Sequence, residues 1–310
     1  MINFSTNNLL FVDDETLGRL FINVVAPAMD VLREWLINRV FYIGPLRSPP
    51  QRAYLRSNLD PLYLGPTGEY VVQQLADHWK DTTDFIELPD NLDEFHPSKA
   101  PIINVTLGHA VLDSLRLLSM EQLLSVRRKG EVYEAGLGLH RRPEVIAALD
   151  QVGFGIGQIL PIIALSLLSP PDSLLIFEQP EIHLHPRAQA GLADLLLIMA
   201  RLGRRFLIET HSDHLINRLR LRAAQDAENQ LEGQVNILFV RPPDAERSSA
   251  TVEQAHINRY GEIDNWPTGF LAQTAIDTRQ LMLAGSNKRI REKQQKADRD
   301  NGKPGPGGER

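Results

Sequence analysis

Two short apolar runs, each ending in a knot of polar residues, constrain this chain more than any other feature. "LLIFEQPEIHLHP" (174–186) opens with four apolar residues and closes on Glu178, Gln179, Glu181, His183 and His185, while "RFLIETHSDH" (205–214) repeats the plan around Thr210, His211 and Asp213. Runs of this length and composition are those of buried strands. Between them Leu192, Leu195, Leu196 and Met199 recur at i, i+3, i+4 and i+7, the core-facing stripe of a helix, with Gly203 placed to cap its end. Strand, helix, strand at this spacing predicts parallel strands joined by a crossover. Such sheets bind ligands outside the carboxyl ends of their strands, so both polar clusters are expected on one edge.

The same rhythm extends to both sides. A helix is expected to open near Gly157, another to run from Asp213 to about Ala224, and a further strand to span Val235 to Val240. Upstream, the spacing of Leu20, Val24, Met29, Leu32 and Leu36 predicts an amphipathic helix over 16–35, interrupted near Pro27. "RVFYIGPLR" (39–47) reads as a strand leaving into a Gly-Pro turn, 69–80 and 112–118 as helices, and "QLLSVRRKGEVYEAGL" as a hairpin about Lys129-Gly130. The fold class expected is α/β, a partial parallel sheet flanked by helices with a mixed α+β N-terminal part. The divisions expected are a helical segment over 1–40, the mixed region over 41–150, the sheet lobe over 151–284 and a charged tail over 285–310.

Composition excludes several chemistries. No cysteine is present, which removes disulfides, thiolate metal sites and thiol nucleophiles. The N-terminus has no basic start followed by an apolar core, so the reading is a cytoplasmic chain. The longest apolar run, Ile159 to Leu168, is about half a membrane span and is ended by "SPPDS", which predicts a buried helix and no membrane partner. The net charge is −6, yet the tail from Ser286 holds eight Lys/Arg against four Asp/Glu and almost nothing apolar. A solvated, disordered tail is the first reading of such a composition and a nucleic-acid-binding arm the second.

An apolar strand ending in two acidic or amide positions and a proline, followed by a strand ending in Thr-His, resembles the Walker B, D-loop and switch-histidine order of ABC-type ATPases. The resemblance is to the group of the overcoming-lysogenization-defect, RecF and SMC proteins, bacterial ATPases that include phage-defence members. It implies that Glu178 supports Mg²⁺, that Gln179 stands at the catalytic carboxylate position, and that His211 contacts the γ-phosphate of ATP. Upstream, "GFGIGQILPI" (153–162) resembles a degenerate ABC signature. That likeness implies that Gly155, Gly157 and Gln158 meet nucleotide held by a second copy. Independently of any family, glycines at a helix start let backbone amides converge on an anion, and Pro161 is tolerable if it lies in the first turn. "YIGPLRSPPQR" (42–52) and "WPTGF" (266–270) also resemble pieces of that group.

One element is missing from the sequence. No G-x-x-x-x-G-K-[ST] run occurs anywhere in the 310 residues, so no phosphate-cradling P-loop is available from this chain. The expectation is therefore the carboxyl-terminal half of an ATPase, oligomeric, active on ATP with Mg²⁺ only when a P-loop-bearing lobe or homologous subunit completes it. Gln179 cannot accept a proton, which leaves three options: Gln179 orients water, Glu181 supplies the missing carboxylate, or the site does not hydrolyse. Two other readings use the same residues. One is a non-catalytic interaction scaffold, in which "NRLRLR" (217–222) presents a solvated helix face. The other is a metal-dependent hydrolase with Zn²⁺ or Mn²⁺ on Glu181, His183, His185, His211, Asp213 and His214.

Overall fold

The computed structural model describes residues 21–58, 62–92, 95–120, 123–139, 142–243, 248–265 and 273–300. Two compact units meet in sequence at Gln225 and Asp226.

In the first unit a π-helical turn (Phe21–Val25) leads into helix α1 (Ala26–Arg39), which runs directly into strand β1 (Val40–Ile43). Pro27 lies in the first turn of α1, where its missing N–H leaves no helical bond unmade. The helix therefore passes it uninterrupted; the earlier part of that expectation, 16–20, lies outside the described residues. Nor is α1 amphipathic in use. It buries no side chain, and Met29, Val31, Leu32, Trp35, Leu36 and Ile37, spread around its axis, are all exposed.

The chain then builds a largely antiparallel region before returning to β1. It comprises β2 (Tyr54–Leu55), α2 (Val71–His78), the paired β3 (Thr82–Ile86) and β4 (Ile102–Thr106), and α3 (Leu107–Leu117). Strands β5 (Leu123–Lys129), β6 (Val132–Leu139) and β7 (Arg142–Ala148) follow, with β6 pairing β5 along its length and β2 and β7 near its two ends. The β5–β6 turn is the expected hairpin, and Gly130 takes the left-handed φ of +63° that the tight turn requires.

The sheet that carries the polar clusters comes last. Helix α4 (Phe154–Leu168) precedes β8 (Leu174–Glu178), α5 (Pro186–Arg201) forms the crossover to β9 (Arg205–Glu209), and α6 (Asp213–Gln225) follows. The strand order is β1-β8-β9, all parallel, with Tyr42 beside Ile176 and Glu178 beside Glu209. This is the expected α/β class. α4 opens at Phe154, earlier than the glycines suggested, so Pro161 falls inside the helix and not in its first turn. The helix tolerates it because α4 is held by packing: Ile159, Ile162, Ile163 and Ala164 are wholly buried.

Among the described residues of the first unit, one face of this sheet is packed and the other is not. Phe41, Ile43, Leu175, Phe177, Phe206 and Ile208 belong to or pack against the hydrophobic core, beneath α4 and α5. On the opposite face Val40, Leu174 and Ile176 stay outside that core, and Tyr42 and Leu207 are 43% and 53% exposed. Among the described residues β9 also pairs on one side only. Parallel sheets are ordinarily covered on both faces.

Helix α5 docks closely on α3. A Cβ at Gly191 would lie 2.2 Å from the Leu117 carbonyl oxygen, backbone that cannot step aside. Gly191→Ala should therefore lower stability by about 1–3 kcal/mol, read as a lower urea midpoint at unchanged slope. The Leu192, Leu195, Leu196 and Met199 stripe is buried as its spacing predicts, and Gly203 closes the helix end at φ +90°. The arginines of "NRLRLR" do not form a solvated face. Arg218 and Arg222 turn inward from α6 onto Asp194 of α5, at 2.7 Å each, and the Asp194 and Arg222 side chains are 2% and 3% exposed.

The second unit contains an antiparallel pair, β10 (Asn236–Arg241) with β11 (Thr251–His256), and helix α7 (Gln273–Asp300). The strand expected at 235–240 thus exists but is not a member of the parallel sheet. The tail reading is corrected too: 286–300 continue α7 as helix, while 301–310 and the "WPTGF" segment lie outside the described residues. Lys, Arg, Glu, Gln and Ala are strong helix formers, and α7 at 28 residues exceeds the length at which an isolated helix becomes marginal. No helix among the described residues is long and apolar enough to cross a membrane.

Candidate functional site

The two polar clusters converge at the carboxyl ends of β8 and β9. Glu178 and Glu209 are register partners on neighbouring parallel strands, so their side chains leave the same face of the sheet, the uncovered one. Tyr42 belongs to that face as well; partial desolvation of its hydroxyl and then a hydrogen bond with Glu178 push its phenol above the ordinary range. After Glu178 the chain reverses. Gln179 adopts a left-handed φ of +44° and His183 one of +64°, two non-glycine residues in a sparsely populated conformation within five positions. The reversal is held by the Gln179 N–H donating to the Glu209 carbonyl (2.8 Å), and by Ile182 and Leu184 N–H groups donating to the Gln179 and Glu181 carbonyls. It points the Gln179 carboxamide at β9, with Nε2 3.5 Å from Glu209 Oε1.

Glu181 lies deeper, 8% exposed, and its Oε1 accepts the His211 backbone N–H at 2.8 Å. It therefore straps the loop after β9 to the loop after β8. The His211 imidazole is 71% exposed, with Nε2 3.9 Å from Glu209 Oε1. Ser212, buried, donates its hydroxyl to Gln189 Oε1 (2.6 Å) and accepts the Leu215 N–H, anchoring the start of α6 to α5. His185 serves as the N-cap of α5, its Nδ1 accepting the Ala188 N–H at 3.3 Å, which is the quiet role open to a loop histidine. Among the described residues no three histidines, aspartates or glutamates converge as a metal site, so the zinc or manganese constellation is not assembled.

Arg47 and Glu209 are residues of the site that sequence reasoning missed; Arg47 is the deeper of the two. It is 6% exposed and donates Nη2 to the carbonyls of Glu178 (3.0 Å) and Gln179 (3.2 Å), bracing the strained turn from below. Burial draws its pKa down to about 10, with the Glu181 charge opposing that shift. Its Nε and Nη1, like Glu181 Oε2, are buried without a hydrogen-bond partner among the described residues. The only signal upstream was "YIGPLR", whose arginine lies 131 residues from Glu178.

The glycine-rich segment 153–158 belongs to the first turns of α4. Gly155 faces the His183 carbonyl, where a Cβ would sit at 3.2 Å, and a Cβ at Gly157 would meet the Pro50 ring. Gln158 is 3% exposed. These glycines thus bring the helix start against the "EQPEIHLHP" loop and against the turn after β1. The four elements that carry the polar motifs are packed together at one edge.

The family described as "AAA domain, putative AbiEii toxin, Type IV TA system" matches residues 33–217, more than half of the chain and all of the elements just described from β1 to the strand-end loops. The chain belongs to this AAA domain family. The family is one of ATPases, whose members bind ATP with Mg²⁺. Residues 232–281, within the second unit, match a family described as "Protein of unknown function (DUF3696)". No curated protein matches the chain. For an AAA domain the donor chemistry at the edge is apt: Glu178, half-buried at a strand end, offers the hard oxygen ligands that Mg²⁺ takes.

Proposed function

We propose that this chain supplies the Walker B and switch-histidine side of an ABC-type ATP site, which a P-loop strand and helix must complete. The observation that carries this reading is the sheet face that the described residues of the first unit leave uncovered, beside the edge of β9 that none of them pairs, directly below Glu178, Glu209 and His211. A strand added to β9 and a helix laid over Val40, Tyr42, Ile176 and Leu207 would bring a phosphate cradle to those side chains, and no P-loop run occurs in the sequence. In the completed site Glu178 supports Mg²⁺, Gln179 orients the attacking water, and His211, exposed at the strand end, senses the γ-phosphate. Mg²⁺, when bound, neutralises charge on the transferring phosphoryl group. Of the glycine-rich start of α4, only the backbone at Gly155 and Gly157 is open enough to approach nucleotide held by a second copy, because Gln158 is 3% exposed and packs inside its own chain; an oligomeric working form is part of the same proposal. A role in bacterial defence accords with the toxin of a Type IV system that the family description names.

The chain alone should bind ATP weakly and turn it over negligibly, because positioning and charge stabilisation by the cradle supply most of phosphoryl-transfer catalysis. Equilibrium binding of a fluorescent ATP analogue and phosphate release by the purified chain test this. Robust Mg²⁺-dependent turnover by the chain alone, abolished by Glu178→Ala, would overturn the half-site reading. A carboxamide at Gln179 also favours a second reading, nucleotide sensing without hydrolysis.

A further inference from the structure

We infer that Glu209 is the proton-accepting carboxylate of this site, in place of the one that Gln179 lacks. The inference rests on the ATP-site reading and adds a catalytic group to it. Three candidates stand near the reacting position, and geometry separates them. Gln179 has no basic atom. Glu181 is 8% exposed and has Oε1 committed to the His211 N–H, so water reaches it only if the strap between the two loops opens. Glu209 is 56% exposed and paired in register with Glu178, on the same uncovered face.

Two further groups attend its carboxylate. Gln179 Nε2 lies 3.5 Å from Glu209 Oε1, a contact longer than a good hydrogen bond and of the loose kind that tightens when a site closes on substrate. His211 Nε2 lies 3.9 Å from the same oxygen. The left-handed turn at Gln179, braced by Arg47 and by the bond to the Glu209 carbonyl, is what brings the carboxamide within reach. The chemistry is ordinary hydrolysis. The water oxygen bonds to the γ-phosphorus, the bond to the bridging β,γ-oxygen breaks with its electron pair leaving on ADP, and the water proton passes to Glu209 and then to solvent.

The test uses tagged chain isolated from its native source under conditions that retain whatever completes the site. ATP binding by photocrosslinking and single-turnover hydrolysis are measured on wild type, Glu209→Gln, Glu209→Asp and the double variant Gln179→Glu/Glu209→Gln. Glu209→Gln should slow turnover by ~100-fold or more while ATP binding stays within about 3-fold, the signature of a group used in the transition state. Glu209→Asp, which keeps a carboxylate, should retain more activity than the glutamine variant. The double variant should recover at least ~10-fold, since it restores a carboxylate at the neighbouring position. Turnover of Glu209→Gln within about 3-fold of wild type overturns the assignment, as do equal losses in Glu209→Gln and Glu209→Asp or no recovery in the double variant. Wild type that binds ATP without hydrolysing it overturns the assignment while leaving the nucleotide site standing; wild type that does neither overturns the site reading itself.

Discussion

Asp194→Ala should cost the first unit about 3–5 kcal/mol of folding stability, a large part of the margin an ordinary domain possesses. Asp194 is 2% exposed on α5 and takes both guanidinium groups of α6: Arg218 through Nε and Nη2 onto Oδ2, Arg222 through Nε onto Oδ1 and Nη2 onto Oδ2. Arg222 is itself enclosed, also donating to Gln225 Oε1 and lying over the Phe95 ring. Removing the carboxylate leaves a buried cation with nothing to balance it, and that uncompensated charge, more than the loss of four hydrogen bonds, sets the size of the effect. The distinction is measurable. Replacing the whole cluster with apolar residues of similar volume, Asp194→Leu with Arg218→Met and Arg222→Met, should recover most of the loss. Urea denaturation of the single, double and triple variants would show it as a midpoint that falls for Asp194→Ala and returns for the triple variant, at constant slope. A midpoint unmoved by Asp194→Ala would mean that α5 and α6 are held by their apolar contacts alone. Function follows from this joint, because α6 begins at the loop that presents His211.

Most of what positions the site was legible because it is local. Two apolar runs of strand length, an intervening stripe at helical spacing and a capping glycine fix β8, α5 and β9 through short-range periodicity, and the structure places those elements within a residue or two of where the sequence puts them. What was not legible depends on partners far away in the chain. Arg47 reads as one residue of a loop until β1 and β8 pair and bring it beneath the Glu178 and Gln179 carbonyls. The arginines of "NRLRLR" read as a solvated helix face until Asp194 arrives from the preceding helix and draws Arg218 and Arg222 inward. Glu209 was passed over as the last residue of a strand, and only the register against Glu178 gives it company. The tail failed for another reason. Charge and scarce apolar residues argue against a packed core, but a long helix needs none, and 286–300 belong to one.

Leu207→Arg should leave the isolated chain within about 0.5 kcal/mol of its wild-type stability, yet weaken its completion by a P-loop unit more than ~100-fold. Leu207 projects from the middle of β9, which among the described residues pairs on one side only, onto the sheet face that Val40, Tyr42, Leu174 and Ile176 share; at 53% exposed it touches water now. A cation there is harmless while the face is open. Once a strand and helix close over the face, the same guanidinium is buried without a counter-charge, at a cost of about 3–5 kcal/mol. Leu238→Arg is the control, an equally exposed leucine (55%) on β10 in the second unit, and it should leave completion and turnover intact. Chemical denaturation of the chain alone, with association and ATP hydrolysis of the completed enzyme, separates the cases. Normal assembly of Leu207→Arg would remove the uncovered face as the docking surface, and destabilisation of the isolated chain would show that Leu207 is already covered. Loss confined to the completed enzyme would tie the missing phosphate cradle to the bare side of the sheet, above the strand ends that hold Glu178, Glu209 and His211.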